Sequence, residues 1–166
     1  ILLSASQISL VTKIEERLTT LILTEDLLTQ AMHYALLGPG KKIRPLLVLA
    51  AAEIFQVPLE LALDPACALE MVHAYSLIHD DLPCMDDDDL RRGRPTTHRA
   101  FGEAVALLAG DALLTYSFEV ISQAEKLDES IRLQMIRCLS QRAGKRGMVC
   151  GQTKDISASP SSLKET

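Results

Sequence analysis

Leu69-Glu70-Met71-Val72-His73-Ala74-Tyr75-Ser76-Leu77-Ile78-His79-Asp80-Asp81-Leu82-Pro83-Cys84-Met85-Asp86-Asp87-Asp88-Asp89-Leu90-Arg91-Arg92-Gly93-Arg94 is the stretch on which the fold turns. Its first ten residues are mostly apolar at helical spacing, and Pro83 disfavours a helix continuing through Leu82. The same spacing recurs along the rest of the chain, Ala and Leu dominate, and strand-like alternation is scarce. An all-α helical bundle follows, with helices predicted at about 4–20, 24–36, 44–56, 61–81, 101–125 and 129–151. Gly38-Pro39-Gly40 breaks one helix and Pro45 opens the next in its first turn, while Pro83, Gly93 and Pro95 punctuate the segment between the two most apolar helices.

The 166 residues fit one domain, and 48% hydrophobic content is ample for a core. A net charge of −5 argues against nucleic-acid or anionic-membrane partners, which call for a basic excess. Aromatic residues make up only 4%, with no Trp, so base-stacking platforms are poorly supported. Small molecules are the expected partners. Cys67, Cys84, Cys138 and Cys150 lack the close pairs of a zinc site, and no basic, apolar leader is present, so a reducing cytoplasm is the expected setting. No uninterrupted apolar run approaches the ~20 residues of a membrane span. The sequence starts at Ile1 without Met and ends in polar Ser157-Ala158-Ser159-Pro160-Ser161-Ser162, which reads as a piece of a longer chain.

Six carboxylates in ten positions, Asp80 to Asp89, follow directly on an apolar helix. Negative charge at a helix C-terminus adds to the negative end of the macrodipole, so a positive group should compensate. Mg²⁺ takes oxygen ligands, commonly one or two carboxylates with waters and substrate phosphates. Asp80 and Asp86 are the leading ligands, with Asp81 assisting. Arg91, Arg92 and Arg94 follow at once, and guanidinium forks match phosphate oxygens. Acid for metal beside arginine for oxygen suggests a diphosphate held from two sides. A solvated loop in which Asp and Arg neutralise one another is the alternative. An EF-hand fails, because counting from Asp80 its sixth and twelfth places hold Met85 and Arg91 instead of Gly and a carboxylate.

Upstream, Gly40-Lys41-Lys42-Ile43-Arg44-Pro45 forms a second basic cluster. A glycine loop entering a helix offers free N–H groups to an anion, reinforced by Lys41 and Arg44. His73 lies close to two helical turns before Asp80 and projects from nearly the same face, either toward a phosphate or as a satisfied core histidine. Asp111 interrupts an apolar run and needs a partner if buried, which favours a structural or supporting role.

The run Glu70–Asp86 followed by Asp89-Leu90-Arg91-Arg92-Gly93 closely resembles the first aspartate-rich motif of the trans-polyprenyl diphosphate synthases, the bacterial farnesyl type being most similar. Gly40–Pro45 looks like their upstream isopentenyl-diphosphate motif, and Phe101-Gly102-Glu103 through Leu107-Leu108-Ala109-Gly110-Asp111-Ala112-Leu113 fits as well. The resemblance implies an isoprenoid-synthase-like all-α fold and condensation of an allylic diphosphate, dimethylallyl or geranyl, with isopentenyl diphosphate. Carried over by position, Lys41, Arg44, His73 and Arg92 would hold isopentenyl diphosphate, Asp80 and Asp86 would bind Mg²⁺, and Arg91 would hold the allylic diphosphate, with Asp80, Asp81, Asp86 and Arg91 forming the catalytic set. Tyr75, with Ser76 beside it, is the expected chain-length position. Tyr75 stands five residues before Asp80, ~7.5 Å along the axis, where a ring can floor the pocket. A homodimer is implied too, with the apolar 101–125 helix as a candidate interface. The family's second aspartate-rich motif belongs to a C-terminal half, so residues 1–166 are expected to be the N-terminal part of a single synthase domain and poorly active alone. Gly151-Gln152 and Asp155 look like the last familiar stretch.

Two rivals stand beside this reading. His79-Asp80 suggests an HD-type metal phosphohydrolase, for which His33, His73 and His98 are further candidate ligands. A non-catalytic subunit partnering a synthase is the other.

Overall fold

A computed structural model describes residues 3–158; the polar stretch from Ser159 onward lies outside them. Local chemistry sets the first helix ends. Ser4 caps α1 (Ala5–Leu21) with a reciprocal pair to Gln7, and Asp26 caps α2 (Leu27–Leu36) by accepting from the Thr29 N–H at 2.8 Å. After the Gly38-Pro39-Gly40 break come α3 (Ile43–Ile54) and α4 (Leu59–Asp80), then a two-residue hairpin of β1 (Leu90–Arg91) and β2 (Arg94–Pro95). The chain continues as α5 (Thr97–Phe101), α6 (Glu103–Ser122), α7 (Glu129–Ala143) and α8 (Met148–Ser157).

The bundle is organised around α4, which packs most extensively on α6 and next on α3. Ala66, Cys67, Ala68 and Met71 of α4 and Ala106, Ala109 and Leu113 of α6 are fully buried, and small residues let the two backbones approach closely. Arg17 reaches from α1 to Asp64 of α4 with Nε and Nη2 donating at 2.6 and 3.1 Å, and the Tyr116 hydroxyl of α6 donates to the Leu21 carbonyl at 2.7 Å. Both α4 and α6 are apolar and long enough to cross a bilayer. They are also the central pair of the bundle, and core helices meet the same length and composition test. Burial pushes the Cys67 thiol up to about 12.

One predicted helix needs correction, and one short helix was not foreseen. The helix expected over about 101–125 runs from Glu103 to Ser122, and Gly102 at φ 87° separates it from the short α5, which periodicity did not reveal. The helix expected over 129–151 is divided into α7 and α8. A Cβ on Gly147 would lie 1.7 Å from the Arg142 carbonyl oxygen, so a tight glycine turn fits there. The hairpin at 90–95 is likewise absent from the helical reading.

Candidate active site

Past Asp80 the backbone folds back on itself. The Met85 and Asp87 N–H groups donate to the Leu82 carbonyl at 2.8 and 3.2 Å, and the Asp86 N–H donates to the Asp80 carbonyl at 2.9 Å. That last bond returns Asp86 to the end of α4 beside Asp80. The six carboxylates then divide by partner. Asp81 is buried and grips Arg91, whose Nε donates at 2.7 Å and whose Nη2 lies 2.6 Å from Oδ1. Asp88 lies 3.6 Å from the same guanidinium, and Asp89 pairs with Arg99. Among the described residues no cation sits within salt-bridge distance of Asp80, Asp86 or Asp87. The neutralised loop therefore describes half of the cluster. Burial and then the Asp86 charge hold the Asp80 carboxyl above its ordinary range. Two like charges left facing each other suit a bound cation.

The hairpin presents the arginines. Arg92 at φ 53° and Gly93 at φ 79° supply the two left-handed positions of a tight two-residue loop, with Arg91 paired to Arg94. Tyr34 anchors it to α2: its hydroxyl donates to the Pro95 carbonyl at 2.8 Å, and Arg94 lies over its ring at 4.1 Å. The buried Thr96 hydroxyl donates to the Asp88 carbonyl at 2.8 Å, tying hairpin to acidic turn.

Opposite, the loop after α2 enters α3 through Lys42, itself left-handed at φ 47°. Lys41, Arg44, His73 and Arg92 come together around one cleft of about 560 Å³, with Gly40 and Glu70 also in its wall. Arg92 Nη1 donates to the Pro39 carbonyl at 2.7 Å. A Cβ on Gly40 would lie 2.0 Å from that nitrogen, so the glycine makes room for the guanidinium. Arg44 Nη1 lies 3.0 Å from His73 Nε2. Arginine only donates, so Nε2 accepts and His73 is neutral with its proton on Nδ1. Burial, then the charges of Arg44 and Arg92, push its pKa down to about 4 from 6.5. Between those values the unfolded chain binds the extra proton, so the contribution is intact above pH 6.5 and is lost as pH falls toward 4. Urea midpoints measured at pH 7 and pH 5 should drop less for His73→Gln than for the parent.

Tyr75 is 6% exposed, its ring edge-on to His79 at 5.7 Å, and Ser76 donates to the His73 carbonyl at 2.9 Å. His79 turns toward α6, with Nε2 3.1 Å from the Leu107 carbonyl and 3.9 Å from Asp111, over Gly110. Asp111 is open to solvent rather than buried. His98 is buried against the Thr96 hydroxyl at 3.1 Å. No group of three His, Cys, Asp or Glu side chains converges among the described residues, so the histidines do not assemble the metal cage an HD-type site needs. The donor chemistry fits a hard cation at Asp80 and Asp86 whose remaining ligands are waters and phosphate oxygens.

Over residues 25–166 the sequence matches the family described as Polyprenyl synthetase. The chain belongs to that family. It is 53% identical over 131 residues to farnesyl diphosphate synthase of Geobacillus stearothermophilus, covering 78% of this chain and 44% of the relative. It is 50% identical over 132 residues to the large subunit 1 of a heterodimeric, chloroplastic geranylgeranyl pyrophosphate synthase of Arabidopsis thaliana, covering 78% and 36%. A solved FPP/GFPP synthase from Zymomonas mobilis superposes with a TM-score of 0.88 at 44% identity, covering 92% of this chain and 56% of that one. The chain thus spans less than half the length of these curated relatives. As a polyprenyl synthetase chain it has the all-α fold its spacing predicted. Sequence reading passed over Lys42 and Glu70, which the fold buries as an ion pair in the wall of the cleft. Two adjacent lysines gave no sign that one points inward.

Proposed function

We propose that the protein is a prenyltransferase that condenses an allylic diphosphate, dimethylallyl or geranyl, with isopentenyl diphosphate, and that farnesyl diphosphate is its product. The observation that carries this is one cleft holding Lys41, Arg44, His73 and Arg92 beside a turn whose Asp80 and Asp86 meet no cation among the described residues. In this reading the residues of the cleft take the diphosphate of isopentenyl diphosphate, and neutral His73 offers its Nδ1–H. Arg91, oriented by Asp81, contacts the allylic diphosphate. Asp80 and Asp86 would hold Mg²⁺, which supplies charge neutralisation to the departing diphosphate. The apolar side of α4 keeps water from the allylic carbon until the double bond of isopentenyl diphosphate attacks it; proton loss then forms the new double bond.

Residues 1–166 serve in this proposal as the N-terminal part of one synthase domain. The relatives' greater length supports that, as do exposed Leu47, Ile54 and Phe55 along and beyond α3, which invite cover. A homodimer through the outward face of α6, where Leu107 and Leu108 are exposed, and a cytoplasmic setting belong to the same reading.

Product analysis of the complete polypeptide with geranyl diphosphate, isopentenyl diphosphate and Mg²⁺ tests it. The expected products are a longer prenyl diphosphate and inorganic diphosphate; phosphate released from a single substrate would contradict it. Tyr75→Ala should shift the products to chains longer than farnesyl, because it removes a buried ring one and a half turns from the metal end. An unchanged chain length would remove Tyr75 from the pocket floor.

A further inference from the structure

The wall of the cleft contains a buried pair that none of its expected contacts includes. Lys42 and Glu70 have side chains only 2% and 8% exposed, with Nζ 3.7 Å from Oε1. The same ammonium donates to the Gly38 carbonyl at 3.3 Å, just past the C-terminal end of α2, where the helix dipole favours a cation. One nitrogen therefore joins the end of α2, the start of α3 and the middle of α4. The loop after α2, the start of α3 and α4 form the cleft together with Arg92 of the hairpin. Lys42 to Glu70 and Arg44 to His73 form two successive rungs between the start of α3 and one face of α4, since residues three apart on a helix are neighbours. The left-handed backbone at Lys42 is uncommon for a lysine and is held by this anchor. It sends Lys41 outward into the cleft while Lys42 turns in.

Resting on the reading that this cleft takes a diphosphate, we propose that Lys42 and Glu70 are positioning residues: their buried ion pair fixes the Gly38–Arg44 loop so that Lys41, Arg44 and Arg92 match a diphosphate. A buried pair adds little net stability over well-packed apolar side chains, but it fixes one geometry. Its contribution appears as selectivity. Burial holds the Glu70 carboxyl above its ordinary range, and the charges of Lys42, Arg44 and Arg92 oppose that shift, so Glu70 stands among three cations as their internal counter-charge.

The double substitution Lys42→Met with Glu70→Met leaves the net charge unchanged, so it separates positioning from simple attraction. Inorganic diphosphate and orthophosphate are titrated calorimetrically into the complete polypeptide with the parent sequence and with the double substitution, with helicity and thermal unfolding recorded alongside. The expected result is a folded variant whose diphosphate affinity falls about tenfold and whose preference for diphosphate over orthophosphate falls with it. A folded variant that keeps the parent's affinity and preference overturns the positioning role. If the double variant does not fold, Glu70→Asp decides, because it keeps the charge and shortens the reach by one methylene. A lowered diphosphate preference supports the proposal, and an unchanged one overturns it. A parent that binds neither anion would sink the diphosphate reading of the cleft and this inference with it.

Discussion

Asp80→Asn is expected to lower Mg²⁺-dependent prenyl transfer by the complete synthase about 10²–10³-fold while leaving the unliganded fold intact. The two halves of that expectation have one cause. Asp80 has no cationic partner among the described residues, and burial and Asp86 already disfavour its charged form. Neutralising it relieves repulsion in the empty protein, so its Tm should stay within about 2 °C of the parent's or rise slightly. With Mg²⁺ and substrate the same change would remove one of the two carboxylates proposed to hold the metal. Steady-state kinetics on the complete enzyme, with a thermal melt of each variant, reads both. A variant that keeps full Mg²⁺-dependent activity would take Asp80 out of the metal wall.

Asp81→Asn, one residue along, should behave the other way. Its carboxylate is buried and holds Arg91 through Nε and Nη2, so the substitution leaves a guanidinium without its counter-charge. Breaking a fully buried pair costs ~3–5 kcal/mol, but Arg91 retains 32% exposure and water compensates part of the loss. A destabilisation of about 2 kcal/mol is expected, or a fall in Tm of about 4–8 °C for a chain of this size. A melt of Asp81→Asn that overlays the parent's would contradict the division of the acidic cluster. Adjacent aspartates thus separate into one that shapes the site and one that would act in it.

Helical spacing was enough to read the main helices α1, α2, α3, α4 and α6, because each has a face of Leu, Ile, Val or Ala that must be buried. It was weakest where glycine rather than hydrophobicity governs: Gly102 parts the short α5 from α6, and a glycine turn ending at Gly147 parts α7 from α8. The hairpin at 90–95 is too short for any periodicity to show, and its signal was the Arg92-Gly93 pair itself. Site residues were legible where several like groups fall close in sequence, as in Gly40–Arg44 and Asp80–Arg94. Their division was not. Which aspartate is paired, and which lysine turns inward, depends on contacts across ten to thirty residues, such as Arg91 with Asp81 and Lys42 with Glu70. Likewise, His79 beside Asp80 looks like a ligand pair in sequence, yet it turns to the Leu107 carbonyl of α6.

Amide and arginine side-chain NMR of the complete polypeptide, titrated with isopentenyl diphosphate with and without Mg²⁺, tests the diphosphate reading of the cleft most directly. Shifts are expected to concentrate at Gly40, Lys41, Arg44, His73 and Arg92, with a further Mg²⁺-dependent set at Asp80 and Asp86. Shifts confined to other surfaces, or none at saturating ligand, would contradict it.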